Sequence, residues 1–265
     1  MLNRIHLETI DSTSNYAHLL VEKGEQLPDI TLIDAEEQTA GRGQRGNSWE
    51  TEPGKNVIFS LVCHPTWVHP MQQYIFSESI ALSVVKALSQ ELPDEEVKNL
   101  SVKWPNDIYY SDKKISGTLI ECDLFGHSIS NCVIGTGVNI NQQVFKSDAP
   151  NPISLFNIVG YESDREKILL NIVEEFAGYY ECIHFGAFAP IHEEYKKQLY
   201  RNDGGFYPYE DARGSFLARI IDVEPSGRLI LETSEGELRR YEFKEVRFLL
   251  KANYSENYPT NYIKK

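Results

Sequence analysis

The chain places a polar, glycine-rich loop between two apolar runs and puts no helix behind it. Residues 30–35 read as a buried strand, and Val57–Cys63 reads as another. Between them runs Glu36-Glu37-Gln38-Thr39-Ala40-Gly41-Arg42-Gly43-Gln44-Arg45-Gly46-Asn47-Ser48-Trp49. Gly41 to Gly46 formally satisfies G-x-G-x-x-G. That pattern signals a dinucleotide site only where a strand precedes it and a helix follows. Here polar residues precede, and Pro53-Gly54-Lys55 leads into a strand. A doubly wound nucleotide fold is therefore disfavoured. A Walker loop is excluded because no Gly-Lys-Ser/Thr closes the segment. What remains is a flexible backbone with forked cations and one flat indole, which suits an anion carrying an aromatic group.

Net charge sharpens that reading. Lysine and arginine total 26 against 39 acidic residues, so the chain carries −13. Such a surface argues against nonspecific nucleic-acid binding, and it makes a local basic loop stand out as a small-anion site. No run approaches the roughly 20 apolar residues of a membrane helix. The start of the sequence lacks the apolar core of an export signal. Cys63, Cys122, Cys132 and Cys182 show no metal-type spacing and read as reduced thiols, which places the chain in the cytoplasm.

Elements follow from the apolar pattern. A short strand around Ile5 and Leu7 precedes a helix that starts at Asp11-Ser12-Thr13-Ser14 and runs to about Lys23. Residues 71–92 read as a long helix, and 165–182 and 190–199 as two more. Residues 102–104, 108–110, 115–121 and 129–134 are strand-like. After about Arg201 the pattern changes to short strands separated by turn signals, a β unit of roughly 50 residues that suits a small barrel. The division is thus residues 1–200, carrying the site, and 201–265, a small β unit with a polar Asn-Tyr tail.

Three further clusters carry chemistry. Lys103-Trp104-Pro105-Asn106-Asp107 leads into a hairpin around Ser111-Asp112. With two turn residues, Tyr109 faces Lys114 and Asp107 faces Ser116. Asp107 and Lys114 then share one face, while Ile108 and Ile115 take the other. That pairing serves either a surface salt bridge or a cleft. Gly135-Thr136-Gly137-Val138-Asn139-Ile140-Asn141 ends a strand, where its asparagines either close a turn or read a base edge. Ser12, Thr13 and Ser14 cap a helix and present hydroxyls beside it.

Together and in this order the clusters resemble the biotin protein ligase family, over about residues 5–250. The resemblance implies an α+β fold of the class II synthetase-like type: a mixed β-sheet flanked by helices, with a small C-terminal β-barrel. It implies that biotin and ATP, with Mg2+, give biotinyl-AMP, and that biotin then passes to a lysine of a biotin carboxyl carrier protein. No tightly bound prosthetic group is implied, and the assembly is a monomer or homodimer. By position, Ser12, Thr13 and Gln38 match contacts to the biotin ureido ring, and Gly41 and Arg42 match the loop over its carboxylate. Gly117, Gly135 and Thr136 match backbone around biotin. Trp49 matches the adenine-stacking residue, and Arg45, Asn106 and Asn139 fall on the nucleotide side. Lys114 matches the lysine on the reacting carboxylate and α-phosphate. Asp107 matches an acidic residue tied to magnesium or to deprotonating the acceptor lysine. Arg42, Lys114 and Asp107 are the expected catalytic set.

Gln44 stands where many relatives have arginine, which implies one anion contact either missing or moved to Arg45. Only about ten residues precede Ser12, which implies a form without a DNA-binding module. Three other readings stay open: a lipoate–protein ligase with the same adenylate chemistry, a biotinyl-AMP-sensing transcriptional regulator, and a noncatalytic biotin-binding module.

Overall fold

A computed structural model describes residues 2–147 and 149–250, with Arg45 by its backbone alone. The Asn-Tyr tail lies outside the described residues. In chain order the elements are β1 (Arg4–Ile10), α1 (Thr13–Glu22), β2 (Thr31–Gln38), β3 (Val57–Cys63), α2 (Tyr74–Ser89), α3 (Asp94–Val97), β4 (Leu100–Lys103), β5 (Asp107–Tyr110), β6 (Lys113–Phe125), β7 (Ser128–Val138), α4 (Leu155–Val159), α5 (Arg165–His184) and α6 (Phe188–Gln198). A second group follows: β8 (Tyr207–Asp211), β9 (Gly214–Val223), β10 (Leu229–Thr233), β11 (Leu238–Tyr241) and β12 (Arg247–Phe248).

The first seven strands form one sheet in the order β1-β2-β3-β7-β6-β5-β4. Only β1 and β2 run parallel; every other pairing is antiparallel, so the sheet is mixed. Strand alternation divides its faces. Phe59, Leu61 and Cys63 of β3 join Phe76, Ile80, Val84 and Leu88 of α2 and Ile172 and Phe176 of α5 in the main core. Ile33, Val62 and Val133 point the other way and pack on Ala17 of α1. The opposite faces thus receive α2 and α5 on one side and α1 on the other, which is the two-sided burial that a largely apolar strand such as β3 requires.

Local chemistry sets the ends. Ser12 caps α1, its hydroxyl accepting from the Asn15 amide at 3.4 Å. The long helix begins later than its periodicity suggests. Pro70–Gln72 form a 3-10 turn, with the His69 ring accepting from the Met71 amide, and α2 proper starts at Tyr74. The β5–β6 hairpin turns at Ser111, whose φ is 52°. Its register differs from the expected one: Tyr109 does oppose Lys114, but Asp107 opposes Gly117 rather than Ser116. A bulge between Ile108 and Tyr109 absorbs the extra residue.

The β unit after Arg201 is a second, antiparallel sheet in the order β11-β10-β9-β8-β12. It docks on the turn between β4 and β5: the Trp104 indole donates to the Gly227 carbonyl at 2.8 Å, and Trp104 meets Phe243 edge-on at 6.3 Å. No helix among the described residues is long and apolar enough to cross a membrane.

Candidate active site

Three glycines strip the side chains from one face of the sheet. Gly137 lies opposite Gly117, and Gly135 lies between Ser60 and Leu119. Each leaves room for something specific. A Cβ on Gly135 would sit 2.2 Å from the Ser14 hydroxyl, and one on Gly137 would sit 2.4 Å from the Trp49 indole. A Cβ on Gly117 would meet both the Lys114 ammonium at 2.9 Å and the indole at 3.1 Å. The start of α1 and the glycine-rich loop therefore lie directly on bare strand backbone.

At the Gly135 end is a closed chain of hydroxyls. Gln38 Oε1 accepts from the Thr13 amide at 2.7 Å and from the Thr13 hydroxyl at 3.0 Å. Ser60 lies 2.9 Å from the Thr13 hydroxyl and 3.1 Å from that of Ser14. A hydroxyl has one proton. Thr13 spends its own on Gln38, so Ser60 donates to Thr13 and Ser14 donates to Ser60. The Ser14 lone pairs and the Gln38 amide N–H groups remain open. That is an acceptor next to donors in a buried place, suited to a ring with adjoining N–H and C=O groups. Ser12, Thr13, Ser14 and Ser60 are all buried.

The glycine-rich loop folds back on itself. The Trp49 amide donates to the Gly41 carbonyl at 2.9 Å, and the Gly43 amide donates to Asn47 at 2.7 Å. Gly41 has no room for a side chain: a Cβ there would be 2.6 Å from the Trp49 carbonyl. Gln44–Gly46 make a 3-10 turn, so no helix follows the glycines. Gln44 Oε1 is buried with no partner among the described residues. The side chain of Arg45 lies outside them.

Arg42 lines the cavity, but its guanidinium is already engaged. It makes a two-pronged pair with Glu121 at 2.7 and 3.1 Å and donates to Asn15 at 3.0 Å. Against its own desolvation, Glu121 is held below the usual carboxylate range by Arg42 and by His18 at 3.1 Å. Arg42 is thus a paired cation at the rim.

The free positive charge sits on the other side. Asp107 Oδ1 lies 2.6 Å from the Lys114 ammonium, and Oδ2 lies 3.9 Å from that of Lys103. Two lysines share one carboxylate, which leaves a net positive charge. The Lys114 ammonium also stands 5.5 Å from the Trp49 ring centroid. Asn106 lines the small cavity beside Trp49 and Lys114 and also fixes the turn. Its amide donates to the Thr118 carbonyl, while its own carbonyl accepts from the Thr118 amide, pinning the turn to β6.

These groups line two joined compartments. The first, of about 200 Å3, holds Ser12, Thr13, Gln38, Gly135, Thr136 and Gly117. Phe243 reaches into it from the second sheet. The second, of about 580 Å3, holds Asn139, Tyr109, Phe145 and Pro150. Trp49, Lys103, Asp107 and Lys114 border both. Asn139 donates to the Ile153 carbonyl at 3.1 Å, and its Oδ1 is buried without a partner among the described residues. Asn141 instead clasps Ser163 through both ends of its amide and closes a turn.

A protein-held metal does not fit. Among the described residues no three of His, Cys, Asp and Glu gather, and both oxygens of Asp107 face ammonium groups.

Sequence reasoning missed Ser60, Gly137, Glu121, Lys103 and Phe243. A lone hydroxyl inside the apolar run of β3 was a signal for Ser60. Gly137 and Lys103 lie in clusters already singled out. Nothing near Phe243 marks it, because its neighbours at the site are distant in sequence.

Comparison with known proteins follows the same lines. A profile of the biotin/lipoate A/B protein ligase family matches residues 7–139. The bifunctional ligase/repressor BirA of Bacillus subtilis is 29% identical over 245 residues, covering 89% of this chain and 71% of that protein. The biotin–[acetyl-CoA-carboxylase] ligase of Paracoccus denitrificans is 27% identical over 217 residues, covering 76% and 87%. Among solved structures, the biotin protein ligase of Aquifex aeolicus in complex with biotin and ATP superposes with a TM-score of 0.72 at 24% identity, over 94% of this chain and 100% of that one.

Proposed function

Since the chain belongs to the biotin/lipoate A/B protein ligase family, we propose that it activates biotin with ATP as biotinyl-AMP and transfers the biotinyl group to a lysine of a biotin carboxyl carrier protein. The observation that carries this is the pair of compartments joined at Lys114. One is small and hydroxyl-lined; the other is larger, with the Trp49 indole at its border and an orphaned amide oxygen on Asn139. Ser14, Thr13 and Gln38 hold the ureido ring, and the biotin chain points its carboxylate toward Lys114. The nucleotide stacks its base on Trp49 and gives its exocyclic amine to Asn139. ATP enters as its magnesium salt.

In the first step a biotin carboxylate oxygen bonds to the α-phosphorus and pyrophosphate leaves. Two anions meet here, and Lys114 offsets their repulsion and the charge that grows on the phosphoryl oxygens. In the second step a carrier lysine attacks the acyl carbon and AMP leaves. Asp107 is placed to receive the proton of that amine, and no enzyme-bound acyl group is needed. Residues up to about 200 supply these groups, while the second sheet covers them through Phe243 and keeps water from the mixed anhydride. The four free thiols suit a reducing cytoplasm.

Lipoate is the competing substrate. Its disulfide ring offers no N–H or carbonyl, so the Ser14 and Gln38 groups would be buried unpaired, at about 1–3 kcal/mol each. Net charge of −13 disfavours direct nucleic-acid binding by a regulator. Pyrophosphate release is the test. Biotin with ATP and magnesium should give it, lipoate should not, and Lys114→Ala should slow it at least about 100-fold. Release driven by lipoate rather than biotin would refute the assignment.

A further inference from the structure

Lys103 is a half-buried cation without a hydrogen-bond partner among the described residues. Its side chain is 20% exposed. The sole carboxylate within 4 Å among the described residues is Asp107, at 3.9 Å, and that carboxylate is already in contact with Lys114 at 2.6 Å. An ammonium carries three N–H groups. None of these finds an acceptor among the described residues. Instead the ammonium stands 5.2 Å from the ring centroids of Tyr109 and Phe248. Aromatic faces attract a cation but leave its N–H groups unspent.

The position is as specific as the deficit. Lys103 ends β4, opposite Asp107 across the turn. It borders both compartments, as Lys114 does. Phe248, from the last strand of the second sheet, forms one wall of its cage, so the second sheet helps aim it. Burial and the nearby charges of Lys114 and Arg201 lower its affinity for a proton, while Asp107 opposes them. A polyanion at the compartment junction would satisfy all three N–H groups and reverse that balance.

We propose that Lys103 binds the β- and γ-phosphates of ATP and stabilises pyrophosphate as it departs, which rests on the adenylate-forming reading above. The division of labour is then clear. Lys114 attends the biotin carboxylate and the α-phosphate. As the new oxygen–phosphorus bond forms, the bond from the α-phosphorus to the bridging oxygen breaks. Its electron pair stays on that oxygen, and pyrophosphate gains negative charge. Lys103 meets this charge with hydrogen bonds and gives up no proton. Acyl transfer involves no pyrophosphate, so Lys103 acts on the first step alone.

The test separates the two steps in Lys103→Met and Lys103→Arg. Inorganic pyrophosphate serves as an inhibitor of adenylation, and chemically prepared biotinyl-AMP feeds transfer to a carrier domain directly. Lys103→Met should slow pyrophosphate release at least tenfold and weaken inhibition by pyrophosphate at least tenfold. Transfer from supplied biotinyl-AMP should stay within about twofold, and Lys103→Arg should restore most of the first step. Unchanged pyrophosphate inhibition in Lys103→Met would overturn the proposal. So would a parallel loss of both steps, which marks a merely structural lysine. A wild-type protein that releases no pyrophosphate with biotin would instead remove the parent reading, and this one with it.

Discussion

Gly137→Ala tests the site from beneath. The added methyl would lie 2.4 Å from indole Cε2, 2.5 Å from Nε1 and 2.7 Å from Cζ2 of Trp49. Carbon atoms settle at about 3.5–4.0 Å, so the ring must withdraw by about 1 Å or more. The strand cannot yield in its place. β7 is hydrogen-bonded on both sides, to β3 and β6, in the interior of the seven-stranded sheet. The indole therefore lifts off the sheet and loses its position as a stacking surface. Base–aromatic stacking is worth about 1–3 kcal/mol, so the KM for ATP should rise about 5- to 150-fold. The hydroxyl chain at Thr13, Ser14 and Ser60 is untouched, so biotin affinity in the absence of ATP should change less than about twofold. Steady-state pyrophosphate release against ATP concentration reads the first quantity, and calorimetric titration with biotin reads the second. The melting temperature should hold within a few degrees, because Trp49 belongs to a surface loop. An unchanged KM for ATP would refute the claim that Trp49 rests on Gly137 to receive the base. A loss of biotin affinity equal to the loss for ATP would refute the division into two compartments.

Two other outcomes follow from particular side chains. His192 of α6 lies 2.8 Å from Glu78 of α2 and 2.9 Å from Asp222 of β9, with Lys196 also 3.4 Å from Asp222. The hydrogen bond to Glu78, reinforced by Asp222 and opposed by burial, pushes His192 up from 6.5 to about 9. A raised histidine stabilises the fold fully below about pH 6.5 and loses that contribution as pH climbs through about 9, a loss that solvent screening of this partly exposed group holds to about 1–2 kcal/mol. Melting temperature should fall by several degrees from pH 6.5 to 9.5, and His192→Gln should flatten that slope; equal slopes in both proteins would sink the argument. Gln44→Arg would place a cation where a buried Oε1 now lacks a partner. One charge-assisted contact is worth about 1.5–3 kcal/mol, so biotinyl-AMP should dissociate at least about tenfold more slowly, and an unaltered rate would dismiss an anion contact at that position.

What the sequence made legible was order and chemistry; what it hid was pairing at a distance. β3 was readable because a continuous apolar run needs only neighbours in the chain, and β7 was readable over 129–134 but not to its end at Val138, where glycines interrupt the apolar pattern. The absence of a helix after Gly46 was readable too, and it correctly removed a dinucleotide fold from consideration. The start of α2 was misplaced because Pro70 and Met71 continue a helical pattern that backbone hydrogen bonding breaks at a 3-10 turn. The hairpin register slipped at one bulge, and no residue type announces a bulge at Ile108. Asp107 and Lys114 nevertheless meet, because the bulge shifts their neighbours without turning either side chain to the other face. Arg42 was expected over a ligand carboxylate. Its pairing with Glu121, 79 residues away, depends on sheet topology that a motif does not encode. Lys103 and Phe248 are likewise brought together only when the second sheet docks.

Phe243 gives the site a history. Every group assigned to biotin or to the reacting phosphate precedes residue 140, yet one wall of the small compartment is made about a hundred residues later. A ribosome-bound chain that has folded only its first sheet holds an open trough. Any activated acid formed there is exposed to hydrolysis before a carrier arrives. Productive turnover should thus await residue 243, and termination ahead of Phe243 should yield a protein that consumes nucleotide without labelling its target.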